Sequence, residues 1–160
     1  MTMRLLDANI RSSRYYIAET TVQCMSCGQW TPVLALGVPA PHEVLIEDEW
    51  QSVDAGALLF NVTALPEGVR RRLAQTSGFF RPASRTDESD ACWVNHCEHC
   101  GATVGDDRLH CEPGGFMPGS TDEAKSISLH AANEPFQAVA GGYAPGPEFF
   151  AHMRKGSPEP

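Results

Sequence analysis

Asn95-His96-Cys97-Glu98-His99-Cys100-Gly101-Ala102 decides how this chain is read. It holds a Cys-x-x-Cys pair followed at once by glycine. Gln23-Cys24-Met25-Ser26-Cys27-Gly28 repeats the design upstream, with 69 residues between Cys27 and Cys97. A Cys-x-x-Cys turn places two sulfurs on one side of an ion, and its backbone aims N–H groups at the first of them. Glycine after the second cysteine accepts a left-handed backbone, so the chain doubles back without a Cβ clash. Two such units supply four thiolates, enough to fill a tetrahedral zinc and leave no position for water. Cys24, Cys27, Cys97 and Cys100 are therefore expected to hold one structural Zn²⁺.

Other readings of the same residues compete with this one. A single Cys-x-x-Cys can be a redox pair, but that motif opens a helix in a βαβ setting, and neither unit does so here. An iron–sulfur centre accepts the same ligands, and four unliganded core cysteines would leave the matched spacings unexplained. His96 or His99 can replace one cysteine. A second metal at Cys92, His96, His110 and Cys111 is a further alternative. Cys92 reads as buried core, and Cys111 beside His110 is a poor catalytic pair, because neighbours in a strand face opposite ways. Asp106-Asp107 reads as a hydrated turn.

The flanks of each unit read as strands. Tyr15–Val22 is rich in aromatic and β-branched residues and runs into the first pair, and Thr31–Val38 returns from it. Asp90–Asn95 enters the second pair and Thr103-Val104 leaves it. Between them, residues 42–54 read as an acidic loop with a short helical turn. Gly56–Leu65 reads as a buried strand and Pro66–Thr76 as a short helix with Val69 and Leu73 on its apolar face. Residues 81–90 and 113–119 read as loops, and Arg108–Cys111 as a short strand. Ser126–Ala131 and Phe136–Ala140 read as further strands, the second ended by Gly141-Gly142. Residues 1–13 read as a loose lead-in, and the stretch beyond Phe150 is expected to fray.

These elements predict an α+β fold that is mostly β: two hairpins around the metal, with a long insertion containing a strand and a short helix. The expected organisation is one domain over 1–160, with a zinc-binding core at 15–38 plus 91–111, the insertion at 39–90 and C-terminal strands at 124–150. Closing a loop of about 70 residues costs on the order of 4 kcal/mol. A structural zinc offers roughly 10–16 kcal/mol of apparent binding energy, so the long separation is no obstacle.

The 160 residues carry a formal net charge of −8, and their apolar content is that of an ordinary globular protein. No run of apolar residues is long enough to span a membrane, and the first residues lack the apolar core of a signal peptide. A cytoplasmic protein is expected, in which cysteines serve as thiols or metal ligands rather than disulfides. The acidic balance disfavours nucleic acid. Glu47, Asp48 and Glu49, with Glu43 and Asp54, form one acidic cluster, and Asp87, Glu88 and Asp90 form another. Arg70, Arg71 and Arg72, with Arg81 and Arg85, are the basic cluster. No dinucleotide, phosphate-loop, serine-hydrolase or zinc-protease motif is present, so no enzyme is expected.

The paired Cys-x-x-Cys-Gly units resemble the zinc-ribbon group, over roughly residues 15–38 and 91–111. The resemblance implies two knuckle-bearing hairpins around a zinc with four cysteine ligands, and it implies little about activity. The chain is also similar to small bacterial proteins with an early pair followed by Thr-Pro-Val, here Thr31-Pro32-Val33, and a late pair followed by Gly-Asp and Leu-His, here Gly105-Asp106 and Leu109-His110. The expected function is a non-enzymatic, zinc-stabilised module that binds a protein, in the manner of an acidic inhibitor or immunity-type partner of a basic protein. Glu47, Asp48, Glu49, Arg70, Arg71 and Arg72 are the candidate contacts. A nucleic-acid-associated ribbon using the arginines is the first alternative, and a thiol redox protein the second.

Overall fold

The run Val33-Leu34-Ala35-Leu36 has no polar alternation, and a strand of that kind needs cover on both faces. The computed structural model describes residues 8–82, 92–105, 109, 116, 121–145 and 154–155, and it supplies that cover. The run lies in β3 (Trp30–Val38), antiparallel to β2 (Tyr15–Gln23), in register from Tyr16 opposite Gly37 to Gln23 opposite Trp30. Leu34, Leu36 and Val38 join one hydrophobic cluster, and Val33 and Ala35 join another. The first cluster includes Val69 and Leu73 of α1 (Glu67–Thr76). The second includes Leu109, Phe116 and Ile127. Each fully buried side chain of this size contributes about 1.5–3 kcal/mol, so the hairpin is anchored from both sides.

β2 and β3 belong to a nine-stranded sheet. Its order begins with β12 (Arg154–Lys155), β10 (Ser128–Ala132), β2, β3 and β6 (Ala57–Ala64). It continues with β11 (Phe136–Pro145), β1 (Ile10–Ser12), β4 (His42–Ile46) and β5 (Glu49–Val53). β10 and β12 pair parallel and the other neighbours antiparallel. A separate sheet holds β7 (Phe80–Pro82), β8 (Trp93–His96) and β9 (Thr103–Val104). A single helical turn, α2 (Thr121–Ala124), precedes β10. The class is the expected one, α+β and mostly β, and the described strands do not close into a barrel. The expected strand and helix of residues 39–90 are present as β6 and α1.

Several local expectations are corrected. The lead-in contains β1, because Ile10 is fully buried between Ala138 of β11 and Val44 of β4. One apolar residue thus holds a three-residue strand in mid-sheet. Residues 42–54 form a hairpin rather than a loop with a helical turn. Its two-residue tip, Glu47 (φ 51°) and Asp48 (φ 65°), has the left-handed backbone of a type I′ turn, which matches the twist of paired strands. β11 runs straight through Gly141-Gly142. A Cβ on Gly142 would lie 2.4 Å from the Phe60 ring, and one on Gly141 2.8 Å from Asn61 Cβ. Those glycines make room for β6 side chains and do not stop the strand. Leu109, expected in a strand, closes a helical turn by donating its N–H to Gly105 O. The rest of the 108–111 strand, and all of the 113–119 loop except Phe116, lie outside the described residues, as do 83–90. Arg154–Lys155, expected to fray, pairs with Ser128 and Leu129.

Candidate metal centre

The two Cys-x-x-Cys units sit at the turns of the β2–β3 and β8–β9 hairpins, and their hydrogen bonds match one for one. Gly28 N–H donates to Cys24 O and Gly101 N–H to Cys97 O, each at 2.9 Å. Cys24 N–H donates to Gln29 O and Cys97 N–H to Ala102 O, each at 2.8 Å. Ser26 N–H points at Cys24 Sγ and His99 N–H at Cys97 Sγ, each at 3.4 Å. Gly28 has φ 78° and Gly101 φ 79°, a region costly for any residue with a Cβ. The chain therefore builds the same sulfur-presenting turn twice.

The turns face each other. Cys24 Sγ lies 3.7 Å from Cys100 Sγ, and Cys27 Sγ lies 3.7 Å from Cys97 Sγ. All four sulfurs lie within 4.8 Å of one another. A disulfide brings sulfurs to about 2.05 Å, so these are four separate thiols. Sulfurs so disposed can hold one metal ion. Among the described residues no other group of three or more histidine, cysteine or acidic side chains is placed to do so.

Charge is divided within each turn. The N–H groups of Cys27 and Ser26 bring the Cys24 thiol down to about 6 against the cost of its desolvation. Desolvation raises Cys97, but the N–H groups of Cys100 and His99 outweigh it and the net direction is down. Cys27 is pulled down by the Gln29 N–H, yet desolvation and the neighbouring sulfurs push it up to about 12. The Ala102 N–H likewise lowers Cys100, and desolvation with the Cys24 sulfur carries it up. Without a cation, four thiolates this close repel one another. A cation among the four sulfurs would relieve that repulsion.

A second set of contacts locks the turns together. Glu98 N–H donates to the fully buried Thr31 hydroxyl at 3.1 Å, and a His99 ring nitrogen meets Trp30 O at 3.1 Å. Asn95 on β8 is 2% exposed. Its side-chain oxygen accepts from Leu34 N–H at 2.8 Å, and its amide donates to Leu34 O at 2.9 Å. β6 pairs with β3 only at Gly37 and Val38, so Asn95 satisfies the β3 edge where β6 no longer reaches it. Thr31 and Asn95 carried no site signal in the sequence, because their partners are 67 and 61 residues away.

The remaining candidates are dispersed. His96 is buried, and its Nδ1 donates to Phe79 O. Cys92 is half-buried rather than core. His110, Cys111, Asp106, Asp107, Arg85, Asp87, Glu88 and Asp90 lie outside the described residues. Glu47, Asp48 and Glu49 are exposed around the β4–β5 turn. Arg70 and Arg71 are exposed, and Arg71 lies 3.5 Å from Glu67. Arg72 turns inward to Glu134 at 3.2 Å, and Arg81 donates to Gly78 O. Two large apolar side chains stand out beside the first turn, Met25 at 83% and Trp30 at 62% exposure. Among the described residues no helix is long and apolar enough to cross a membrane. No protein-family model, curated protein or solved structure matches the chain.

Proposed function

We propose that this chain is a non-enzymatic, zinc-stabilised module that binds a basic protein partner. The observation that carries the metal half is the sulfur spacing. Zinc–sulfur bonds of 2.3 Å at tetrahedral angles set sulfurs about 3.8 Å apart, and the two closest cross-turn pairs are at 3.7 Å. With all four positions taken by sulfur, the zinc joins two hairpins in the manner of a zinc ribbon and offers no site for catalysis. The partner half rests on the surface. A net charge of −8 and the acidic Glu47–Glu49 turn steer a basic protein. Trp30 and Met25 are apolar anchors of the kind that dominate interfaces. An arginine face for nucleic acid has less support, since Arg72 is already bonded to Glu134 and Arg71 lies near Glu67.

Metal analysis of the purified chain should return one zinc per molecule, with all four thiols unreactive while it is bound. Metal-free protein, or a reversible Cys24–Cys27 disulfide in its place, overturns the proposal. Affinity capture from the native cell at mild salt should recover a stoichiometric basic protein, and Trp30→Ala should lose it. Recovery of nucleic acid instead, released by Arg70→Ala/Arg71→Ala, would transfer the function to the arginine face.

A further inference from the structure

The nine-stranded sheet ends on one side in β12, two residues long, and on the other in β5, five residues long. β5 has β4 on one flank and, among the described residues, no strand on the other. In a two-residue hairpin the residues flanking the turn exchange both hydrogen bonds, and bonded pairs then alternate along the ladder. The bonded pairs are therefore Ile46 with Glu49, Val44 with Gln51 and His42 with Val53. Leu45, from an intervening pair, donates its N–H the other way, to Asn9 O at 2.9 Å, as that alternation requires. Trp50, which lies opposite Leu45, and Ser52, opposite Glu43, accordingly turn their N–H and C=O groups away from β4.

Among the described residues nothing is bonded to those backbone groups. Glu49, Gln51 and Ser52 are exposed. The Trp50 ring is drawn inward and leaves the edge bare, since the guanidinium of Arg11, two strands away on β1, lies 3.9 Å over it. Both ends of the edge are acidic: Glu47, Asp48 and Glu49 at the turn, and Asp54 just past Val53, all exposed. Two copies meeting antiparallel about Gln51 would set Asp48 against Asp54 at each end, and like charges oppose that pairing.

We propose, on the reading of this chain as a binder of a basic protein, that β5 takes up an extended segment of that partner as a tenth strand of the sheet. The segment carries Lys or Arg at both ends of a short β-branched centre. The free N–H and C=O groups of Trp50 and Ser52 hold its backbone, and side chains supply the selectivity, as in β-strand addition generally. Its basic ends face Glu47–Glu49 and Asp54. Its centre lies along Trp50 and Ser52, where β-branched residues suit the pleat. In sheet order β5 is five strands from β3, so this surface is separate from the thiol turns.

The test is a titration of ¹⁵N-labelled, metal-loaded full chain with the capped peptide Lys-Lys-Val-Thr-Val-Lys-Lys to about 5 mM, enough to register millimolar binding. The amides of Trp50 and Ser52 should shift saturably and exchange more slowly, while Gln51, already bonded to β4, keeps its protection. Glu-Glu-Val-Thr-Val-Glu-Glu should bind at least tenfold more weakly, and so should the basic peptide with every amide N-methylated. Ser52→Pro removes a free N–H at an edge position that tolerates proline, and should raise the dissociation constant at least tenfold. Glu49→Gln/Asp54→Asn, which keeps every backbone group, should raise it at least threefold at low salt. No saturable shift at Trp50 and Ser52 overturns the proposal, as does equal binding of the acidic or the N-methylated peptide. Shifts at those amides that grow with protein concentration alone give the edge to a second copy and overturn the basic occupant. In affinity capture, a basic protein recovered equally by wild type and Ser52→Pro overturns the edge and spares the proposed function. Failure of wild type to recover one overturns that function, and the peptide titration still decides the edge.

Discussion

The β2–β3 hairpin is tied at both ends, by different chemistry. At its turn, Cys24 and Cys27 face Cys97 and Cys100 of a hairpin that belongs to another sheet. At its open end, the buried Tyr15 hydroxyl donates to Glu134 at 2.7 Å, and Arg72 of α1 bonds the same carboxylate at 3.2 Å. Tyr15 also stacks on Phe136, with ring centroids 5.0 Å apart. The second tie is complete in the protein itself and joins parts already packed around one hydrophobic cluster. The first can be completed by a metal ion, and it belongs to a sheet whose strands are three, four and two residues long. Three such short strands cannot bury enough surface to stand alone. The large sheet therefore holds itself, whereas the small sheet leans on its neighbours, through the Asn95 and Thr31 contacts and through four sulfurs that can hold a metal ion.

Breaking the first tie should have the largest effect. Cys97→Ser, or removal of the metal by a strong chelator, should abolish stoichiometric metal binding. Amides of β8 and β9 should then exchange quickly while those of β3, β6 and β11 stay protected. Collapse of protection in β6 and β11 would show that the two regions are one cooperative unit. Next comes Asn95→Ala, which leaves the buried N–H and C=O of Leu34 without partners. It should cost about 2–4 kcal/mol in denaturant unfolding of the metal-loaded protein. Gly101→Ala meets no atom within 4 Å, so its cost is the left-handed backbone alone, about 1–2 kcal/mol. Gly28→Ala should match it, since the two turns are alike.

The smallest effect belongs to the open end. Glu134 is partly exposed, and Glu134→Gln should cost about 1 kcal/mol near neutral pH. The hydrogen bond from Tyr15 and the charge of Arg72 hold the Glu134 carboxyl below its ordinary range. Its contribution is present above the unfolded value of about 4.3 and fades as pH falls through the folded value. The gap between wild type and Glu134→Gln should therefore close on acidification. Burial and the same carboxylate raise the Tyr15 phenol, so its contribution holds up to about pH 10 and is lost as pH rises further. Chelator should move neither limb if the two ties are independent.

Much of the metal centre was legible because its signals are local. Spacing and the following glycine fix each turn, Thr31–Val38 reads as the returning strand, and the apolar run Gly56–Leu65 reads as a buried strand. α1 was legible from Pro66, Glu67 and the four-residue step from Val69 to Leu73. Features set by distant partners were not. β1 has one strongly apolar residue, Ile10, and its meaning depends on Ala138 and Val44. The β4–β5 turn uses Glu47-Asp48 where Asn-Gly would have signalled a hairpin, so its charge suggested a loop. Gly141-Gly142 has the composition of a stop, but its function is to accommodate Phe60 and Asn61 across the ladder. Asn95 reads only as the end of a strand until Leu34 is placed beside it.

The position of β11 has a consequence for how the molecule is made. It lies between β6 and β1, yet it follows both in the chain. On the ribosome, β2, β3 and β6 can assemble, and so can β1, β4 and β5, but the strand that joins the two halves is not yet there. Until residues 136–145 emerge, β6 and β1 each present an open edge, with Ile10 and Leu59 beside them. Both edges stay open to pairing with another chain until β11 is available, because one late strand is all that joins the two half-sheets.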